Sequence, residues 1–416
     1  MLIRIKSTFV KIRTWGVRGI LDYAKTLVWR FRIQRFLVRN ARRHPFDRKE
    51  RGITLVGMFT QYASHSKTMR DFAYALRRAG IPFQTLNTDP APRIPTSEIA
   101  GILTPHEEFR ILRYTHVVEI LPGILPFRLG IKSSRIAFWE FESGFEHAYP
   151  DMALSPCVIA MSDFNAGYLR DVLPATTHVK KILYPFHALP PSGTPASGIR
   201  ARYGIGADDF LVYFNFDFGS SYYRKNPEGA LRAFAKAFPD TPGVRLVFKT
   251  MRAKSRPDLL ARLESLAREL GVADRLTMIH AYLSEQEIFD LTAACDVYLS
   301  LHRGEGFGIT LAEAMAMGKP VVCTDWSSTT EFCRPGCTLP VPYRMVPVRP
   351  EQVDHPYYGK VREWAEPDIG AAADALRNLY DSPGLRAETG RKARESVAAR
   401  FSTENFRKSV EAFLDA

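Results

Sequence analysis

The sequence predicts an α/β architecture of two doubly wound, Rossmann-like domains facing a central cleft. Three observations predict it. The chain has 416 residues, 46% apolar and 24% charged, which is ordinary globular composition in a length too great for one core. Short apolar runs bounded by turn residues alternate with amphipathic stretches of helical period along most of the chain. The alternation is broken once, by the Pro-, Gly- and Ser-rich "LPPSGTPASG" (189–198), which reads as an irregular linker. The expected division is a basic extension over 1–51, a first domain over 52–190, a second over 200–395, and a C-terminal helix over 396–416 that returns to the first domain.

The formal charge of +13 is local to the start of the chain. Residues 1–51 hold fifteen Lys or Arg against Asp22, Asp47 and Glu50, so +12 of the +13 lies there. A nucleic-acid partner is therefore not expected for the body of the protein. Ile5, Phe9, Ile12, Ile20, Tyr23, Leu27 and Phe31 recur near the helical period among these cations, with Trp15 and Trp29 placed as interfacial rings would be. No apolar run approaches the ~18 residues of a membrane span, and no apolar stretch of signal-peptide type follows the first charges. The segment is expected to lie on an anionic membrane, where each cation is worth about 1 kcal/mol. A helix packed on the protein's own body is the other reading, and Gly16 and Gly19 weaken any continuous helix. Five cysteines without a CxxC pair read as free thiols in a reducing compartment, Cys333 and Cys337 included.

Beyond Arg51 the elements follow in order. "GITLVGMF" (52–59) suits a buried parallel strand, "KTMRDFAYALRRAG" (67–80) an amphipathic helix closed by Gly80, and "IPFQTLN" (81–87) the next strand. Strands are expected at 115–121, 134–141, 157–162 and 179–186, with a helix at 164–173. After the linker, strands at 210–216, 244–250, 275–282, 295–301 and 320–325 alternate with helices at 227–238, 257–270, 284–294 and 309–317.

In such domains ligands sit beyond the carboxyl ends of the strands. "GEGFGITLAEAMAMGKPVV" (304–322) occupies that position: a strand ends near Leu301, a glycine loop follows, and a helix begins. Gly306 and Gly308 free the loop backbone to approach a ligand, and the amides around Phe307, Gly308 and Ile309 are helix-start donors suited to oxyanions. Glu305 would project from the loop, and Glu313 from the helix about a turn deeper. Carboxylates of this kind clamp diols, although a glutamate in an early helical turn also serves the helix dipole alone.

The stretch 300–332, "SLHRGEGFGITLAEAMAMGKPVVCTDWSSTTEF", resembles the E-x7-E region of retaining GT-B glycosyltransferases of family 4, the glycogen-synthase-like and mannosyltransferase-like group. "FDFGSSYYRKNPEGALRAFAKAF" (216–238) resembles that family's diphosphate-binding region, and "WAEPD" (364–368) the approach to its last helices. The resemblance is strong over 200–416, moderate over 52–190 and absent over 1–50. It implies that Lys225, with Arg224 as the nearest arginine, neutralises the diphosphate leaving group, that Glu305 binds the transferred sugar and that Glu313 binds the ribose. The family's usual arginine lies further upstream, where this chain has Gly219 and Ser220. Lys249, ending a strand at "VFKT", faces the same region or sits at the core edge. On the acceptor side Glu140, in "IAFWEFESGFE", resembles a subgroup with Trp-Glu where many relatives carry histidine. It steadies acceptor or sugar, or pairs with an arginine. His116 reads as a strand-end histidine before a catalyst.

The implied reaction is metal-independent, retaining transfer of a hexose, with mannose favoured, from a nucleotide sugar to a saccharide acceptor. No Asp-x-Asp pair occurs in the chain, and no cofactor is expected beyond the donor substrate. Combined with the basic extension, this implies a cytoplasmic enzyme peripheral at the inner face of the membrane, acting on a lipid-linked acceptor in polysaccharide or lipopolysaccharide biosynthesis. Open alternatives are a soluble or protein acceptor, a non-transferring epimerase, and a catalytically silent nucleotide-binding scaffold.

Overall fold

A computed structural model of the chain describes residues 50–89, 93–104, 113–120, 132–187 and 196–415, and three exposed helical positions, Val28, Arg35 and Arg39. The amphipathic reading of residues 1–51 and most of the 189–198 linker lie outside the described residues.

Two six-stranded parallel sheets form the body. The first uses β1 (Glu50–Gly57), β2 (Phe83–Asn87), β3 (Tyr114–Ile120), β4 (Lys132–Ala137), β5 (Cys157–Ala160) and β6 (His178–Lys181), in the order β2-β1-β3-β4-β5-β6. The second uses β7 (Phe210–Asp217), β8 (Val244–Met251), β9 (Leu276–His280), β10 (Val297–Ser300), β11 (Val321–Thr324) and β12 (Leu339–Val341), in the order β12-β11-β10-β7-β8-β9. In each sheet the order reverses beside the first strand, which is where a doubly wound sheet opens its ligand crevice. The strands are near-continuous apolar runs because both faces are covered: Leu211, Val212, Tyr213 and Phe214 of β7 are all buried.

Helices cover the sheets for local reasons that the sequence states. α1 (Ser64–Ala79) buries Met69, Phe72, Ala73 and Leu76, and ends at Gly80, whose φ of 68° closes the last turn. Further along come α2 (Phe145–Ala148), α3 (Asp163–Val172), α4 (Ala196–Arg202) and the single-turn α5 (Tyr222–Lys225). Asn226 then adopts a left-handed conformation, and its side chain accepts from the Gly229 amide at 3.0 Å to cap α6 (Pro227–Ala237), where Pro227 suits the first helical position. After α7 (Pro257–Glu269), Ser284 and Glu287 form a capping box at the start of α8 (Glu285–Ala294). α9 (Ile309–Ala316), α10 (Ile369–Asp381), α11 (Pro383–Arg400) and α12 (Thr403–Leu414) complete the set.

Four features depart from the expected elements, the first being that the strand expected over 179–186 stops at Lys181. The strand expected over 134–141 stops at Ala137, since Trp139 turns its amide to the Asn165 side-chain oxygen Oδ1 at 2.7 Å instead of a neighbouring strand. The C-terminal part of the expected linker is helical, as α4. An antiparallel hairpin, β13 (Tyr343–Pro347) with β14 (Glu363–Pro367), was not expected; the exposed residues of β13 give no alternation to read, and β14 buries Trp364 and Ala365 side by side. At the end of the chain α12 packs on α1, with Phe406 edge-on to Phe72 at 5.6 Å. Among the described residues no helix is long and apolar enough to cross a membrane.

Candidate active site

The carboxyl ends of the two sheets face each other, and the charged residues singled out from the sequence gather there in two groups. The first lies where α5 meets the loop after β10. Lys225 forms an ion pair with Glu305, and the Arg224 guanidinium stands 3.5 Å from Glu305 and 3.7 Å from Glu140. Burial alone would raise the Glu305 carboxyl, yet Lys225 and Arg224 outweigh it and hold it down at about 2. Burial pushes Glu140 up, with Arg224 opposing. Arg224 is also structural: it donates to the Gly304 carbonyl at 2.9 Å and to the Ser220 carbonyl and hydroxyl at 2.9 Å. Lys225 carries no such backbone duty among the described contacts, which leaves its ammonium to the carboxylate.

The loop holding Glu305 is fixed from several sides. The Glu305 amide donates to Ser327 Oγ at 3.0 Å, and Asn165 donates to the Gly306 carbonyl at 3.0 Å from the opposite half. A β-carbon at Gly304 would come within 2.6 Å of the Glu140 carbonyl oxygen, so only glycine lets the two halves approach here. Gly308 has φ of 94° and opens α9. The Phe307 ring is buried and stacks on Tyr184 of the other half at 3.9 Å and 13°; what this residue offers the cleft is its backbone. Ile309 is the first residue of α9. Beneath the loop, His302 is fully buried between Ser300 and Thr329, and burial lowers its pKa to about 4, so it is neutral.

The second group surrounds Glu313. Lys67, in the first turn of α1, reaches across the cleft to Glu313 at 3.3 Å, to Asp71 at 3.0 Å and to Glu285 at 3.7 Å. Burial disfavours its ammonium, but these three carboxylates prevail and raise its pKa. Burial lifts Asp71 to about 7 and also raises Glu313, each against the pull of Lys67. Arg70 binds Glu285 at 2.8 Å and the Phe59 carbonyl at 2.6 Å. Lys249, at the end of β8, is fully buried with no hydrogen-bond partner for its ammonium; burial lowers it to about 8, while Asp217 and Glu313 pull the other way.

Sequence reasoning missed Lys67, Arg70 and Asp71 from the N-terminal half with their partner Glu285 from the C-terminal half, and the cluster of Ser162 and Asn165 with Ser328 across the cleft, with contacts of 2.8 to 3.0 Å. One local signal was present: Lys67 and Asp71 stand four positions apart on one helix face, which predicts their pair but not the partners in the other half. His116 lies away from both groups, under α12 against Phe413 at 5.3 Å, and burial lowers it to about 4. All five cysteines are free thiols. A cavity of about 720 Å³ between Lys181, Glu331, Arg334 and Arg400 shares none of the site residues.

Comparison with known proteins gives the arrangement a context. Residues 216–338, which contain Arg224, Lys225, Lys249, Glu305 and Glu313, match the family described as Glycosyl transferases group 1. D-inositol 3-phosphate glycosyltransferase of Xylanimonas cellulosilytica is 33% identical over 134 residues, which is 32% of this chain and 30% of that protein. The chain thus matches about a third of the length of such relatives. Among solved structures, a glycosyltransferase from Rickettsia africae superposes with a TM-score of 0.63 at 14% identity, covering 88% of this chain and 98% of that one. Anabaena HepE in complex with UDP and glucose gives 0.60 at 15% identity, covering 88% and 100%. The chain therefore has the GT-B fold of these glycosyltransferases, and its residues 216–338 carry the Glycosyl transferases group 1 signature.

Proposed function

We propose that the chain is a retaining, metal-independent glycosyltransferase of family 4 that moves a hexose from a nucleoside diphosphate sugar to a saccharide acceptor. The observation that carries this is the convergence of Lys225, Arg224 and Glu305 at the facing ends of the two sheets, inside the matched segment. HepE, of the same fold, has been solved with UDP-glucose, which makes a uridine diphosphate hexose the first donor to test and a guanosine diphosphate mannose the second.

In this reading the bond between the anomeric carbon and the diphosphate oxygen breaks, and the diphosphate leaves with the electron pair. Lys225 leaves its carboxylate partner to neutralise the growing charge, and the amides at the start of α9 add to this. The acceptor hydroxyl attacks from the same face as the departing oxygen, which takes its proton, so configuration is retained. Glu305 orients hydroxyls of the transferred sugar, Glu313 binds the ribose, and Glu140 steadies the acceptor side. The cross-cleft contacts exclude water while the glycosyl centre is exposed. The acceptor is lipid-linked, presented at the inner face of a membrane that residues 1–51 hold through their fifteen cations.

The test is release of nucleoside diphosphate from UDP-glucose and GDP-mannose by the wild type, Lys225→Ala and Glu305→Ala. Turnover by the wild type and at least a hundredfold loss in either variant is expected. Nucleotide binding without turnover would leave a silent scaffold. Flotation with vesicles containing anionic lipid, before and after removal of residues 1–51, tests the membrane proposal; unchanged flotation refutes it.

A further inference from the structure

Residues 348–362, between β13 and β14, lie outside the segment that matches the family. They pass through two short turns, Pro350–Gln352 and Pro356–Tyr358, and touch both halves of the molecule. Toward the N-terminal half, the Arg362 amide donates to Ser143 Oγ at 3.0 Å, and the Tyr358 ring packs edge-on against Trp139 at 5.6 Å and Phe141 at 5.1 Å. Toward the C-terminal half, Asp354 accepts from Ser221 Oγ at 2.6 Å and from the Tyr222 amide at 2.6 Å. Tyr358 also faces the Arg224 guanidinium at 5.9 Å.

These contacts fall on α5, the four-residue turn that presents Arg224 and Lys225. A helix this short has no stability of its own, because nucleation costs more than one turn of hydrogen bonds returns. It is bounded by two non-glycine residues in left-handed backbone, Ser221 at φ 67° and Asn226 at φ 55°. Such conformations persist only where the surroundings impose them. Asn226 is held by the Leu301 carbonyl, to which it donates at 2.9 Å. At the other end the holding group is Asp354, whose side chain is only 3% exposed and whose charge Arg256 offsets from 3.9 Å.

We propose that Asp354 is a positioning residue for the leaving group: by binding Ser221 and the Tyr222 amide it sets the orientation of α5, and so the place of Lys225 beside Glu305. Through Tyr358 the same segment ties that orientation to the acceptor-side loop around Trp139 and Glu140. The proposal rests on the donor reading above, and deepens it by naming a residue that acts on the diphosphate and not on the nucleoside.

The test is calorimetric titration of the wild type, Asp354→Ala, Asp354→Asn and Ser221→Ala with UDP, UMP, GDP and GMP, together with kcat for release of diphosphate. For the preferred base, the wild type should bind the diphosphate at least tenfold more tightly than the monophosphate. Asp354→Ala should bring that ratio close to one and lower kcat at least tenfold, with monophosphate affinity unchanged. Asp354→Asn, which keeps one acceptor oxygen, should fall between. Ser221→Ala removes one of the same two bonds, together with the cap that Ser221 Oγ gives the Arg224 amide at 3.3 Å, and reads the loss of α5 orientation should Asp354→Ala fold poorly. If the ratio persists in all three variants, or both affinities fall together as for general loosening, Asp354 has no such role while the donor reading stands. If the wild type binds none of the four, both fall.

Discussion

Lys249 carries the clearest conflict between stability and ligand at the residue scale. Its ammonium is buried without a hydrogen-bond partner, and its pKa falls from 10.5 to about 8. A base depressed in the folded state costs stability below the folded pKa, and the cost is relieved as pH rises toward 10.5. The shift corresponds to about 3 kcal/mol. Lys249→Met should therefore raise the melting temperature by a few degrees at pH 7, with the gain shrinking between pH 8 and 10.5, while nucleoside diphosphate affinity drops. A melting temperature that falls, or a gain independent of pH, would place the ammonium in contact with a partner. Glu305 and Glu313 were legible at this scale from spacing along one chain, a carboxylate in a glycine loop and another one helix turn deeper, and Lys225 from the resemblance of 216–238 to a diphosphate-binding region. Lys67 and Asp354 were not, because their partners lie 246 and 133 positions away (Glu313 and Ser221) and no local pattern records such a meeting.

Among the elements, the alternation of buried strands and amphipathic helices was readable to within about two residues over 210–325, where β7 carries five consecutive buried apolar side chains and helices are bounded by Asn226-Pro227 and Ser284. It failed where polar contacts replace periodicity: β4 ends early at the Trp139–Asn165 bond, and β13 of the hairpin is almost wholly exposed. The loop-to-helix junction at Gly308 follows a stricter rule. With φ of 94° and a β-carbon position 2.6 Å from the Thr329 methyl, it admits no side chain without displacement. Gly308→Ala should destabilise the protein by about 2–4 kcal/mol, combining left-handed strain with overpacking. Chemical denaturation measures this, and a change below about 0.5 kcal/mol would show that the turn relaxes freely.

Over the whole molecule, the two halves are joined by charge as well as by rings. Lys67 makes ion pairs with three carboxylates at once, and only one of them, Asp71, belongs to its own helix. Removing one member of a buried ionic network strands the others, at a cost of about 3–5 kcal/mol. Lys67→Met should lower stability by that order; losing its charge lifts the already raised Asp71 and Glu313 further toward the neutral form, and losing its tie across the cleft lets the halves part, so small-angle scattering should show a larger radius of gyration. An unchanged radius with unchanged stability would mean that the remaining contacts between the halves, Arg70–Glu285 and the Tyr184–Phe307 stack among them, hold them together without Lys67.

A donor in this cleft must exchange these internal ion pairs for its own phosphates and hydroxyls. Calorimetric titration of the full chain with UDP and GDP, repeated on Lys225→Ala and Glu313→Ala, measures that exchange directly. Saturable binding of at least one nucleotide, weakened tenfold or more in each variant, is expected. Binding that neither substitution disturbs would contradict a nucleotide-sugar site between the two sheets.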